Sequence, residues 1–167
     1  MELVFLKAKQ RLAKEISNKG TTPYPLTKNF TSEHVQVSKT KKGLHTLLKT
    51  LQTQAASGAC LHKGLLKRPL ENESRAMMAD RVASTELLVL DIDGIQMPGS
   101  LTDVRTVAEK IIAQLPECFQ DVSYIAQASA SLGFKKDKVS MHFFFLLNQP
   151  TQPKILKEWF KLLNYET

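Results

Sequence analysis

The sequence predicts an α+β protein whose clearest part is its C-terminal half. Three observations carry that expectation. Glu86–Ile92 is an apolar run that closes on acids at 91 and 93, Val139–Leu147 is a second apolar run rich in phenylalanine, and residues 102–115 between them carry apolar side chains at helical spacing. Short apolar runs bounded by glycine, proline and polar residues suit buried strands, and a period of 3.6 suits a helix that covers them.

In order along the chain, residues 1–18 read as an amphipathic helix, with Leu3, Leu6, Ala13 and Ile16 near one side and lysines on the other, ended by Gly20. Residues 20–38 carry Pro23, Pro25 and many Ser and Thr, and read as loop. Residues 41–55 read as a second helix, with Leu44, Leu47, Leu48 and Leu51 inward. Residues 57–84 are ambiguous; they hold the basic stretch from His62 to Pro69 and then Glu73-Ser74-Arg75. The strand of 86–92 follows, broken by Gly94, Pro98 and Gly99. Thr102 caps a helix that buries Val104, Val107, Ala108, Ile111 and Ile112 and stops at Pro116. Val122–Ala128 reads as a second strand, 131–138 as a polar, basic turn, and Val139–Leu147 as a third strand. Thr151 caps a last helix with Ile155, Leu156, Trp159, Phe160 and Leu163 inward.

The order strand, helix, strand, strand, helix is the ferredoxin-like or RRM-like βαββαβ arrangement with its last strand absent. Two parts are therefore expected: a smaller, basic, mostly helical N-terminal lobe over 1–84, and the ferredoxin-like part over 85–167.

Composition narrows the function classes. The 167 residues are 43% hydrophobic, enough for a core in one domain or two small lobes. No apolar run approaches the roughly 20 residues that a membrane helix needs, so no membrane partner is expected. The start Met1-Glu-Leu-Val-Phe lacks the basic-then-apolar order of a secretion signal. Cys60 and Cys118 form no CxxC pair, which argues against a zinc ribbon or a disulfide framework and fits a reducing cytoplasm. A net charge of +7 points to a polyanion, either nucleic acid or a triphosphate, although a solvated basic surface has the same balance.

Asp91 and Asp93 stand at i and i+2, so a strand places both carboxylates on one face. Two such acids repel unless a cation or a proton intervenes, and hard oxygen ligands suit Mg²⁺ or Mn²⁺. The plainer reading is turn chemistry around Asp93-Gly94. Ser140 and His142 repeat the i, i+2 spacing on the third strand, where the imidazole is available to donate to a phosphate or sugar oxygen. Ahead of that strand, Ser129, Ser131, Gly133, Lys135, Lys136 and Lys138 offer the hydroxyls and amines of a triphosphate cradle. As a bare hairpin tip, the same residues need no ligand.

Together, Leu88-Val89-Leu90-Asp91-Ile92-Asp93, the segment Ser123–Ser131 and Ser140-Met141-His142 resemble the archaeo-eukaryotic primase superfamily, in particular phage and plasmid primase-polymerases. The resemblance spans roughly residues 60–165. It implies a catalytic palm in which Asp91 and Asp93 bind two Mg²⁺ or Mn²⁺ ions. It also implies that His142 contacts the incoming nucleotide with Ser140 in support, and that Ser129, Ser131, Lys136 and Lys138 line the nucleotide site. Lys63, Arg68 and Arg75 are its candidates for template phosphates. The implied activity is metal-dependent nucleotidyl transfer on a single-stranded DNA template, using nucleoside triphosphates, in the cytoplasm of a bacterial host of a phage or mobile element, with a fused or associated helicase domain. One feature of the family lacks a match: a third acidic motif downstream, for which only Glu158 and Glu166 remain. The chain is therefore expected to be an N-terminal fragment.

Two other readings compete. A haloacid-dehalogenase-like phosphatase also pairs an apolar strand with Asp-x-Asp-Gly, with Asp91 as nucleophile and Asp93 as acid/base. A non-catalytic ferredoxin-like nucleic-acid-binding module would stack bases on sheet aromatics, with Tyr124 as its candidate.

Overall fold

The computed structural model describes residues 1–39, 42–97, 103–134 and 137–165. The expected helix near Thr102, the breaks at Pro98 and Gly99, and Lys136 of the basic turn fall partly or wholly outside them. The protein is α+β, with three α-helices among the described residues. Its strands are β1 (Glu2–Lys7), β2 (Glu15–Ser17), β3 (Gly20–Thr22), β4 (Asn29–Gln36), β5 (Cys60–His62), β6 (Leu65–Leu66), β7 (Glu73–Ser74), β8 (Ala79–Asp80), β9 (Thr85–Gln96), β10 (Ile125–Ala128) and β11 (Lys138–Thr151). The helices are α1 (Gly43–Ala56), α2 (Val104–Ile112) and α3 (Pro153–Tyr165). The chain divides into two compact units, one of residues 1–13, 24–88 and 146–167, the other of residues 14–23 and 89–145.

The first unit corrects the N-terminal expectation. In place of a helical lobe it holds a curled antiparallel sheet, ordered β5-β1-β4-β7. Residues 1–18 form no helix because Leu3, Val4, Phe5 and Leu6 are all buried, at 4% exposure or less. Four consecutive buried side chains need a strand covered on both faces; a helix would turn at least one toward water. Val4 and Leu6 enter a core with Phe30, Leu66 and Leu70. Leu3 and Phe5 point the other way, toward α1, whose Gln54 Nε2 donates to Glu33 Oε1 at 2.9 Å opposite Phe5.

Residues 20–38 are likewise not all loop. Only the stretch around Pro23 and Pro25 is, while β4 pairs with β1 along six residues, from Thr31–Lys7 to Gln36–Glu2. The polar side chains of β4 hid the strand, and its central ones have partners. Ser32 Oγ accepts the Leu70 N–H at 2.8 Å, Glu33 takes Lys7 and Gln54, and His34 Nδ1 lies 2.6 Å from Glu2 Oε1. Ser32 Oγ also lies 3.3 Å from His34 Nε2. This hydroxyl–imidazole–carboxylate row ties strands together, since a backbone amide already occupies the serine oxygen.

α1 forms as predicted and ends at Ser57, with Gly58 following at φ +81°. A left-handed residue just past the cap is the usual helix stop, and here a Cβ would also sit 2.8 Å from Arg11 Cγ. α3 starts at Pro153, and the expected cap Thr151 is instead the end of β11. Leu156, Trp159, Phe160 and Leu163 are half-buried on it, but Ile155 is 57% exposed and does not face inward.

In the second unit the sheet order is β10-β11-β9, with β11 central. β10 and β11 are antiparallel, Gln127 opposite His142 and Ile125 opposite Phe144. α2 is capped by Asp103, whose carboxylate accepts the Arg105 N–H, and it buries Val107, Ala108, Ile111 and Ile112. Val104 was expected inside but is 38% exposed. Val139, Met141, Phe143 and Phe145, at alternating positions, are 4% exposed or less and form the covered face of β11. Phe119 and Tyr124 pack there, their ring centroids 5.0 and 5.9 Å from that of Phe145. β10 is shorter than the predicted strand: Val122, outside it, is 45% exposed.

Candidate functional site

The other face of the same sheet carries the polar residues. Alternation from the covered positions puts Lys138, Ser140 and His142 together on it. On β9, Asp91 and Asp93 share it too, because each contacts one of these residues. His142 Nε2 lies 3.2 Å from Asp91 Oδ1, and Ser140 Oγ donates a short hydrogen bond to Asp93 Oδ1.

The register explains why these pairs meet. The Ser129 N–H donates to the Ser140 carbonyl at 3.0 Å, so the backbone groups of Ser140 and His142 face β10. Toward β9, the same residues make non-hydrogen-bonded pairs, where Cα atoms approach to about 4.5 Å and side chains come closest. The acids thus stand opposite the hydroxyl and the imidazole at the positions of tightest side-chain approach.

β9 does not stop at Gly94, as the sequence predicted. The Met97 N–H donates to the Asp137 carbonyl at 2.9 Å. Asp91–His142 and Asp93–Ser140 advance along β9 as they retreat along β11, the antiparallel sense, but Met97–Asp137 is one residue out of that count. One extra residue therefore stands in β9 between them. Gly94, at φ +70°, has the left-handed backbone that begins a glycine bulge, and its N–H donates to Ser140 Oγ at 3.2 Å. The glycine read as a strand breaker is a bulge, and the acids lie within the strand.

Two cross-strand rows result. One runs Ser129, Ser140, Asp93; the other runs Gln127, His142, Asp91. Ser131 joins the first, its hydroxyl 2.8 Å from that of Ser129. Gln127, exposed and opposite His142, was absent from the sequence-based set because only strand register places it there. Ser140 is 9% exposed, whereas the side chains of His142 and Asp91 are 35% and 54% exposed.

Lys136 lies outside the described residues. Lys63, Arg68 and Arg75 belong to the other unit. There, Arg68 holds Glu73 through two nitrogens at 2.5 and 2.7 Å, and the Glu73 carboxyl is lowered to about 2 by that pairing. The Arg75 guanidinium lies 5.6 Å over the Phe30 ring. Lys63 is exposed. Glu158, one of the two downstream acids, pairs with Lys161 on α3.

Among the described residues no three His, Cys, Asp or Glu side chains are grouped to hold an ion. Two exposed carboxylates with no soft ligand beside them fit Mg²⁺ or Mn²⁺, since Mg²⁺ commonly takes one or two carboxylates and completes its shell with water and substrate phosphates. No protein-family model matches this chain, and no curated protein or solved structure matches it either.

Proposed function

We propose that this chain is the catalytic palm of a primase-polymerase, performing metal-dependent nucleotidyl transfer on a single-stranded DNA template. The observation that carries the reading is the double pairing Asp91–His142 and Asp93–Ser140 on one face of the sheet. The strand order supports it. β9 leads through α2 to β10, and β11 inserts between them, as the first three strands of a ferredoxin-like arrangement do.

In this reading Asp91 and Asp93 hold Mg²⁺ or Mn²⁺. Ions held there would supply positive charge to offset the negative charge of the triphosphate. His142 and Lys138 donate to phosphate oxygens from β11, and Gln127, Ser129 and Ser131 border the nucleotide. Lys63, Arg68 and Arg75, in the other unit, are its candidates for phosphates of single-stranded DNA, Arg68 and Arg75 on release from Glu73 and Phe30. The 3′-hydroxyl attacks the α-phosphate in line and pyrophosphate leaves; positioning and charge neutralisation account for most of the rate. A helicase domain is the expected partner, in the cytoplasm of a bacterial host.

The competing readings find less support. A base-stacking sheet needs exposed rings on its strands, whereas Tyr124 packs on Phe143 with centroids 5.7 Å apart and Phe144 is 6% exposed. An aspartyl phosphatase would place its acids at a strand end, and β9 continues three residues past Asp93.

The test is primer extension and dinucleotide synthesis with Mn²⁺ by this chain, together with nucleotide titration. Asp91→Ala is expected to abolish synthesis, and His142→Ala to raise the Michaelis constant for the nucleotide. Full synthesis by Asp91→Ala removes the metal assignment.

A further inference from the structure

The serine of the Ser-x-His strand has a different neighbour from the one the nucleotide reading gives it. Ser140 is 9% exposed and its hydroxyl has two partners. The oxygen accepts the Gly94 N–H at 3.2 Å, and the proton goes to Asp93 Oδ1. A serine hydroxyl has one proton, so while it serves Asp93 it has none for a phosphate. The oxygen's neighbour, Gly94, is the bulged residue immediately after the acid. One buried hydroxyl therefore fixes both the carboxylate and the backbone turn that follows it.

We propose that Ser140 is a positioning residue for Asp93, acting on metal affinity through that carboxylate rather than by contact with the nucleotide. The inference rests on the metal reading of Asp91 and Asp93. By holding the Asp93 carboxylate through Oδ1, Ser140 fixes the orientation in which that side chain meets the cation. Partners of this kind, one bond removed from the ion, typically change metal affinity about 10–100-fold when removed.

The experiment is Mn²⁺ titration of the full chain, without nucleotide, followed by calorimetry and by the paramagnetic signal of free Mn²⁺. Five forms are compared: wild type, Ser140→Ala, Ser140→Thr, Asp93→Asn and the double variant Ser140→Ala/Asp93→Asn. Ser140→Ala is expected to weaken Mn²⁺ binding at least about tenfold. Ser140→Thr, which keeps the hydroxyl, is expected to restore most of it. In the Asp93→Asn background, Ser140→Ala is expected to add nothing, because a residue that acts through Asp93 has no effect once that ligand is gone.

Two results overturn the proposal alone: Ser140→Ala binding Mn²⁺ as wild type does, or weakening it equally with and without Asp93. Wild type that binds no Mn²⁺, or binding untouched by Asp93→Asn, overturns the metal reading beneath it. A melting curve on each variant identifies misfolding. If Ser140→Ala fails to fold, the Ser140→Thr and Ser140→Cys pair decides: a thiol donates weakly, so the proposal requires weaker binding by Cys than by Thr, and equal binding refutes it.

Discussion

Replacing Asp93 in two ways separates what it does for the fold from what it does for the site. Asp93→Asn keeps a carbonyl oxygen where Oδ1 stands, so Ser140 Oγ still has an acceptor and Gly94 still has Ser140. It also removes one of two negative charges on the same face of β9, which relieves repulsion. Asp93→Ala removes the acceptor and leaves a hydroxyl that is 9% exposed without it. A buried polar group stripped of its partner costs about 1–3 kcal/mol. The Gly94 N–H remains on the same oxygen, and Asp93 itself is exposed, so the lower half of that range applies: about 1–2 kcal/mol. For a chain of this size each kcal/mol lowers the melting temperature by about 2–4 °C, giving roughly 2–8 °C for Asp93→Ala and a change near zero for Asp93→Asn. Both variants are expected to lose Mn²⁺ binding. Thermal melting followed by circular dichroism, with Mn²⁺ titration on the same samples, reads both quantities. An asparagine variant as unstable as the alanine one would refute the hydrogen-bond account, and one that binds Mn²⁺ like wild type would refute the ligand account.

Three further outcomes are expected. Gly94→Ala places an L side chain at φ +70° with nothing within 4 Å of the new Cβ, so strain alone acts; a loss of about 1–2 kcal/mol is expected in chemical denaturation, with Gly94→Asn less affected. The Glu73 carboxyl is depressed to about 2 by Arg68, so its contribution to stability is fully present above the unfolded value of about 4.3 and disappears as pH falls toward 2. Glu73→Gln should therefore be less stable than wild type at pH 7 and should lose less between pH 5 and 2, as followed by acid titration of the melting temperature; parallel profiles would show that the pair contributes nothing. Single-stranded DNA binding should fall steeply as salt rises from 50 to about 200 mM, in proportion to the phosphates neutralised, and a flat response in a fluorescence-anisotropy titration would exclude a basic template track.

The C-terminal half was legible because its elements follow the rules that sequence obeys locally. β11 carries five buried apolar residues, Val139, Met141, Phe143, Phe144 and Phe145, and α2 shows buried positions at helical spacing. The N-terminal half was misread for two physical reasons. Leu3 and Leu6 fit a helical period, yet Val4 and Phe5 between them are equally buried, and only partners on both sides of β1 make that possible. β4 looked like loop because Ser32, Glu33 and His34 are polar, and their partners Leu70, Lys7, Gln54 and Glu2 are 21 to 38 residues distant. In the candidate site the i, i+2 spacing of each pair was readable from the chain. Their facing each other was not, because it depends on strand register and on a bulge that moves the register by one residue.

That bulge bears on why the polar face exists at all. A sheet face left to solvent is ordinarily covered by long charged or β-branched side chains, which satisfy themselves in water. Here the outward positions of β11 run Lys138, Ser140, His142 and then Phe144 at 6% exposure, so the polar stretch is short and bounded. Within it, a hydroxyl and an imidazole oppose the two acids of β9, and the hydroxyl is buried although its acid is exposed. Burying a hydroxyl has a desolvation cost that a solvated surface would not incur, and an unbulged β9 would put Ile92 and Gly94 opposite His142 and Ser140 if the register at Met97 ran on unchanged. The inserted residue at Gly94 thus reconciles the register at Met97 with the one that sets Asp91 and Asp93 against β11's polar residues. Deleting Gly94 would bring Met97–Asp137 into the same count as Asp91–His142 and Asp93–Ser140, so the acids are expected to keep their partners and Mn²⁺ binding to survive, as Mn²⁺ titration and a two-dimensional amide spectrum of the intact chain would register together. Loss of metal binding in that deletion variant, with the amide spectrum otherwise preserved, would mean that the bulge itself, and not the strand alignment, presents the acids.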